Sequence, residues 1–145
     1  MQKRFVAIWF RSLKTDWFVR RQSSLASIPF VLASPDHGRM VITAVNALAE
    51  SSGIITGMLL ADARVILPTL KVLDDQQGLP EKLLNGLGEW CIRFTPVVAI
   101  DLPDGLLLDV TGCSHLWGGE ELYLQQIVSR LKNIGYHVRA AMADT

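Results

Sequence analysis

The sequence has only two cysteines, Cys91 and Cys113, and neither lies in a C-x-x-C pair. This argues against a disulfide-stapled secreted scaffold and a cysteine-built zinc site, and makes reduced core thiols in a cytoplasmic protein the expectation. The three histidines, His37, His115 and His137, stand apart with no array at metal-ligand spacing, so structural or exposed roles are expected for them. A charge excess is missing as well: 14 Lys and Arg balance 14 Asp and Glu, so no global basic field announces a nucleic-acid partner. No apolar window approaches the roughly 20 residues of a membrane span, and no membrane partner is expected. The N-terminal run Phe5–Phe10 stops at Arg11 without a small-residue cleavage site, too short for the apolar core of a signal peptide. Internal repeats, low-complexity tracts and disordered linkers are also lacking.

What remains is ample material for a core. Half of the 145 residues are apolar, enough for one ordinary domain or two small ones. The organising stretch is Phe94–Gly112, in which the apolar runs Val97–Ile100 and Leu106–Val110 flank Pro103-Asp104-Gly105. Short apolar runs around an Asp-Gly turn predict a β-hairpin, with Gly105 supplying the positive φ such a turn needs. Asp101, Asp104 and Asp109 lie in or beside it. Carboxylates clustered on a hairpin suit Mg²⁺, which prefers oxygen ligands and substrate phosphates. Equally, Asp104 suits a turn and Asp109 a strand end.

Around this hairpin, Phe5–Phe10 reads as a buried strand. Between Lys3 and Arg21, six basic residues (Lys3, Arg4, Arg11, Lys14, Arg20, Arg21) face one acid, Asp16, with Trp17 and Phe18 interleaved. That pattern suits either a nucleic-acid surface or a solvated helix face. Ile28–Ala33 and Arg39–Val45 read as strands joined by a turn at Ser34–Gly38. Ala44–Ser52 reads as a helix stopped by Gly53, and Leu59–Val65 as a second helix ending before Pro68. Leu83, Leu84, Leu87, Trp90, Cys91 and Phe94 recur at helical spacing within Leu79–Phe94. Gly119–Asn133 has a similar stripe of Leu124, Ile127, Val128 and Leu131, is closed by Gly135, and leads to a strand at His137–Met142. The run Trp117-Gly118-Gly119-Glu120-Glu121-Leu122 resembles the Gly-Gly-Glu-Glu-Phe signature of diguanylate cyclases. That signature sits on a hairpin turn before a strand, whereas Tyr123–Asn133 has a helical period, with glutamates suited to a helix's positive end.

Two segments resemble the Y-family (translesion, UmuC/DinB-like) DNA polymerases, whose palm carries a Phe-Ser-Pro-like lead-in and then Ser-Ile-Asp-Glu-Ala-Tyr-Leu-Asp-Val-Thr-Gly. Phe94, Thr95 and Pro96 match the lead-in, and Leu108-Asp109-Val110-Thr111-Gly112 the end of the motif. Asp104 falls on the family's metal-binding Asp and Gly105 on the Glu after it. In the fingers, the family's Tyr-x-x-Arg-x-x-Gly-Ile-x-x-Gly-Met is matched at Gly53, Ile54, Gly57 and Met58. Its triphosphate-holding Tyr and Arg are replaced by Ala47 and Glu50, and a Glu would repel phosphate where an Arg would clamp it. The family's first strand also delivers a metal-binding Asp, but no acid precedes Asp16 here, and Trp9 and Phe10 occupy that region.

The resemblance implies an α+β fold: a ferredoxin-like βαββαβ palm at residues 1–10 and 74–145, with a small fingers-like insertion at 11–73. The losses most resemble the ImuB-type, catalytically degenerate branch. The expected function is therefore a non-catalytic polymerase-like subunit in DNA-damage repair and translesion synthesis. It would act through contacts with DNA, weak for this portion, and with a mutagenic repair complex that includes a separate polymerase and the sliding clamp. No cofactor is then expected. The alternative is an active template-directed nucleotidyltransferase using Mg²⁺ at an unusual site. The candidate site residues are Asp104, as a vestigial metal ligand, the degenerate positions Gly105, Ala47 and Glu50, and the nucleic-acid candidates Arg11, Lys14, Arg20 and Arg21. A little-finger domain, thumb and clamp-binding tail would lie beyond Thr145.

Overall fold

In a computed structural model, which describes residues 2–144, the chain runs β1 (Arg4–Phe10), α1 (Leu13–Arg21), β2 (Phe30–Asp36), β3 (Arg39–Val45), α2 (Ala47–Ser51), α3 (Leu60–Ile66), β4 (Lys71–Asp74), α4 (Leu79–Trp90), β5 (Val97–Asp101), β6 (Gly105–Asp109), α5 (Glu120–Asn133) and β7 (Val138–Asp144). The contacts divide it into two units, Met1–Leu13 with Gly78–Thr145, and Lys14–Gln77.

The first unit is built on one antiparallel sheet in the order β5-β6-β1-β7. With α4 before β5 and α5 between β6 and β7, this is the split βαββαβ arrangement. Alternation along β1 sorts its side chains: Val6, Ile8 and Phe10 are buried, while Ala7 and Trp9 are exposed on the other face. Leu106 and Leu108 of β6 join the buried set, as do Leu83, Leu84 and Leu87 of α4 and Tyr123, Ile127 and Leu131 of α5. Each such aliphatic side chain contributes about 1.5–3 kcal/mol when fully buried. The Tyr123 hydroxyl, inside that core, donates to the Phe94 carbonyl at 2.6 Å. Burial pushes its phenol well above the ordinary value.

Helix α5 has Glu120 and Glu121 in its first turn and Arg130 and Lys132 in its last, both suited to the helix dipole. It closes by a double bond, Tyr136 N–H to the Leu131 carbonyl at 3.0 Å and Gly135 N–H to that of Lys132 at 2.9 Å. That closure requires the left-handed φ of 103° at Gly135. A helix, not a strand, therefore follows Gly118-Gly119-Glu120-Glu121.

The second unit holds a three-stranded sheet in the order β3-β2-β4. Both faces of β2 are covered, which is why Phe30–Ala33 reads as a continuous apolar run. Val31 packs with Ile42, Ala49, Ile54, Ala63 and Leu70, whereas Phe30 and Leu32 pack with Leu25, Phe18 and Leu73.

Several local expectations need correction here. The β2–β3 turn is only His37-Gly38, both left-handed at φ 50° and 77°, so Pro35 and Asp36 belong to the strand. Pro35 is tolerated because it lies past the last β4 pair, Ala33 with Asp74. Ala44 and Val45 end β3 instead of opening a helix, because Asn46 caps α2 through its side chain. Helix α3 lies one residue later than expected. Strand β4 has only four residues, too few for alternation to reveal it, yet Val72 and Leu73 go to opposite faces. The seams between the two contact units fall at 13/14 and 77/78, each within a few residues of the palm and fingers bounds expected at 10/11 and 73/74.

Candidate functional site

The hairpin β5–β6 brings Asp101 opposite Gly105, and β1 brings Trp9 opposite the same glycine. The connection is Leu102–Asp104, with the Leu102–Pro103 peptide cis. Gly105 is thus the first residue of β6, and it has no positive φ. The expectation that it supplies turn geometry is overturned. Close approach calls for glycine here instead: a Cβ would stand 3.2 Å from the Asp101 carbonyl oxygen and 3.3 Å from that of Ile8.

Asp104 is held at the end of β1. Its carbonyl accepts the Phe10 N–H at 2.8 Å, and its Oδ2 accepts the Trp9 indole N–H at 3.0 Å. The Arg139 guanidinium lies 5.8 Å from the centre of the Trp9 ring. Asp109 is committed elsewhere: its Oδ1 accepts the Thr111 hydroxyl at 2.7 Å and the Thr111 N–H at 3.1 Å. Those bonds, the hydroxyl's first, hold its carboxyl below the ordinary value. The Thr111 hydroxyl oxygen also accepts the Arg4 N–H at 3.0 Å, so Asp109-Val110-Thr111 ties off two strands. Asp101 is exposed at the end of β5. The three acids therefore go three ways, and no metal-binding group of three His, Cys, Asp or Glu occurs among the described residues. A lone carboxylate bonded to an indole does not fit Mg²⁺, which asks for a near-octahedral oxygen shell.

In the second unit, Ala47 and Glu50 are exposed on the five-residue α2 and offer no cation to an anion. The glycine framework around them has a local purpose. Gly53 and Gly57 hold φ of 92° and 93°, and the Gly57 N–H bonds the Ile42 carbonyl at 2.8 Å. Lys14 is ion-paired with Asp75 at 2.7 Å. Burial raises the Asp75 carboxyl, but the Lys14 bond and charge, with the nearby Thr43 hydroxyl and a bond from the Gln76 N–H, together outweigh it and leave the group below its ordinary value. Arg21 lies 4.7 Å over the Trp17 ring, and Arg20 is exposed on the same helix. Arg11 belongs to the first unit, where its N–H bonds the His137 carbonyl at 3.1 Å.

The sequence does not reveal the contacts of two residues. Trp9 is legible in the sequence as the residue in the region of the family's first-strand Asp, but its indole bond to Asp104 is not, because the two residues lie 95 positions apart. Asn46 was passed over, yet its Oδ1 accepts from Ala49 N–H (2.9 Å) and Phe30 N–H (3.1 Å) while its Nδ2 donates to the Ile28 carbonyl (2.8 Å).

Comparison with known proteins identifies the family. Residues 8–145 match the impB/mucB/samB family. The chain belongs to that family. The domain is 47% identical to Protein ImuB of Caulobacter vibrioides over 93 residues, which is 64% of this chain and 20% of that protein. It is 27% identical to DNA polymerase IV of a Marinomonas species over 126 residues, covering 86% of this chain and 36% of the polymerase. Among solved structures, it superposes on DinB from Sulfolobus solfataricus with a TM-score of 0.79 at 17% identity, over 97% of this chain and 42% of that one. A post-insertion binary complex of Dbh DNA polymerase gives 0.82 at 17% identity, with the same coverage. The impB/mucB/samB domain thus has the fold of the front of a Y-family polymerase and spans about a fifth of the ImuB protein it matches. No helix among its described residues is long and apolar enough to cross a membrane.

Proposed function

We propose that this impB/mucB/samB domain is the palm (1–10 and 74–145) and fingers (11–73) portion of a non-catalytic Y-family polymerase-like subunit, serving DNA-damage repair and translesion synthesis in the cytoplasm. One observation carries the reading: Asp104, the acid at the polymerase-like position, is bonded to the Trp9 indole and belongs to no metal-binding group of three among the described residues. Phosphoryl transfer runs on positioning and on neutralising charge, so a site lacking both metal ligands and phosphate-holding cations lacks the main sources of rate. Exposed Glu50 and Ala47 support the same conclusion in the fingers. The subunit would act through DNA, held weakly by this portion at zero net charge, and through other proteins of a mutagenic repair complex, among them a separate polymerase and the sliding clamp.

The likeness to DNA polymerase IV favours a second reading, an active template-directed nucleotidyltransferase using Mg²⁺. Primer extension by the full-length protein with Mg²⁺ or Mn²⁺ decides between them. No template-directed incorporation is expected, nor saturable shifts of the Asp104 and Asp109 amides at micromolar dATP. Either one would overturn the non-catalytic reading.

A further inference from the structure

We propose that Trp9 closes the cation position at Asp104: its indole N–H occupies Oδ2 of the carboxylate that a divalent ion would need, with the Arg139 guanidinium near the same ring. The inference rests on the non-catalytic reading and names the residue that enforces it.

The sheet register sets up the arrangement. Trp9 pairs with Arg139 on one side and Gly105 on the other, and Gly105 pairs with Asp101. Arg139, Trp9, Gly105 and Asp101 therefore form one row across the open face, and Asp104 adjoins that row because its carbonyl accepts the Phe10 N–H. Within the row the Trp9 side chain turns its only polar atom onto Asp104 Oδ2, at 3.0 Å. Indole is a donor without an acceptor and does not titrate in the accessible range, so it cannot serve as a ligand or yield to one by ionising. A divalent ion that takes both oxygens of Asp104 must displace the indole from Oδ2, and it does so near the Arg139 guanidinium, 5.8 Å from the centre of the Trp9 ring. Asp101 ends the row beyond Gly105, and Asp104 adjoins it at Trp9. A carboxylate in place of the indole would bring three acids to this sheet end.

Trp9 is 42% exposed, so replacing it leaves the helix-facing core intact. The test is Mn²⁺ titration of the full-length protein, followed by the loss of the free-ion EPR signal and without nucleotide or DNA. Wild-type protein is expected to leave Mn²⁺ free at a concentration where Trp9→Asp binds it at least tenfold more tightly. The double change Trp9→Asp with Asp104→Asn should lose that gain. A folded Trp9→Asp protein with no gain, or wild-type binding accompanied by Trp9-dependent fluorescence quenching, overturns the proposal. Should Trp9→Asp not fold, the Trp9 indole N–H resonance decides. Asp104→Asn should shift it, and an unchanged resonance shows that the bond on which the proposal stands is absent. Primer extension by the wild-type protein would sink the non-catalytic reading separately, since the EPR result does not depend on it.

Discussion

Replacing Gly105 with alanine separates two effects of opposite sign. A strand glycine at an ordinary φ becomes less costly to order when it gains a methyl group, which by itself stabilises by about 0.4–1 kcal/mol. Against that stands the space. The added Cβ would lie 3.2 Å from the Asp101 carbonyl oxygen and 3.3 Å from that of Ile8. Both contacts are backbone atoms of paired strands and cannot swing away as a side-chain tip would. Overpacking of this kind costs about 1–3 kcal/mol, so the clash outweighs the entropy gain and a net loss of roughly 1–2 kcal/mol is expected. For a chain of this size, that lowers the melting temperature by about 3–8 °C. Gly105→Glu, which would restore a carboxylate next to Asp104, should lower it further and still leave nucleotide incorporation undetectable. Thermal unfolding followed by far-UV circular dichroism measures both. A melting temperature for Gly105→Ala at or above wild type would refute the reasoning, because the sheet would then have slack where the geometry leaves none.

Two further outcomes concern the second unit. Asn46→Ala removes the α2 cap and leaves the Phe30 N–H and Ile28 carbonyl without that partner; a loss of about 1–2 kcal/mol is expected in urea unfolding, and less than about 0.3 kcal/mol would show that water replaces the side chain easily. Asp75, held below its ordinary value, contributes stability at neutral pH that disappears as pH falls through its folded-state value. Lys14→Met should therefore cost at most about 1 kcal/mol at pH 7 and make the acid side of the stability profile shallower, whereas an unchanged profile would mean that the pair adds nothing.

The sequence made the outlines of the first unit legible because its signals are local. The alternation in Phe5–Phe10, the two apolar runs around Pro103 and the helical stripes at Leu83–Leu87 and Ile127–Leu131 each lie within one element. Errors arose where a neighbour in space decides the outcome. An Asp-Gly pair looks like turn chemistry until β1 closes on Gly105 from the other side. Strand β4 exists because β2 offers it an edge, not because four residues announce a strand. The Trp9–Asp104 bond spans 95 positions in the chain, and only the pairing of β1 with β6 brings those residues together.

That pairing also explains how the core and the exposed face of such a fold can change independently. In the observed register, Val6, Ile8 and Phe10 face the helices and Trp9 faces outward; a slip by one residue would exchange the two sets. Core and site are therefore read from alternate residues of the same strand, and one can change while the other is kept. Ala47 and Glu50 likewise stand exposed beside buried Ala49 and Ile54. The buried half of this pattern holds the sheet to its helices, and the chain has the fold of DinB at 17% identity. The exposed half is free to hold an indole or a glutamate, and there a metal or a triphosphate would have to be won residue by residue.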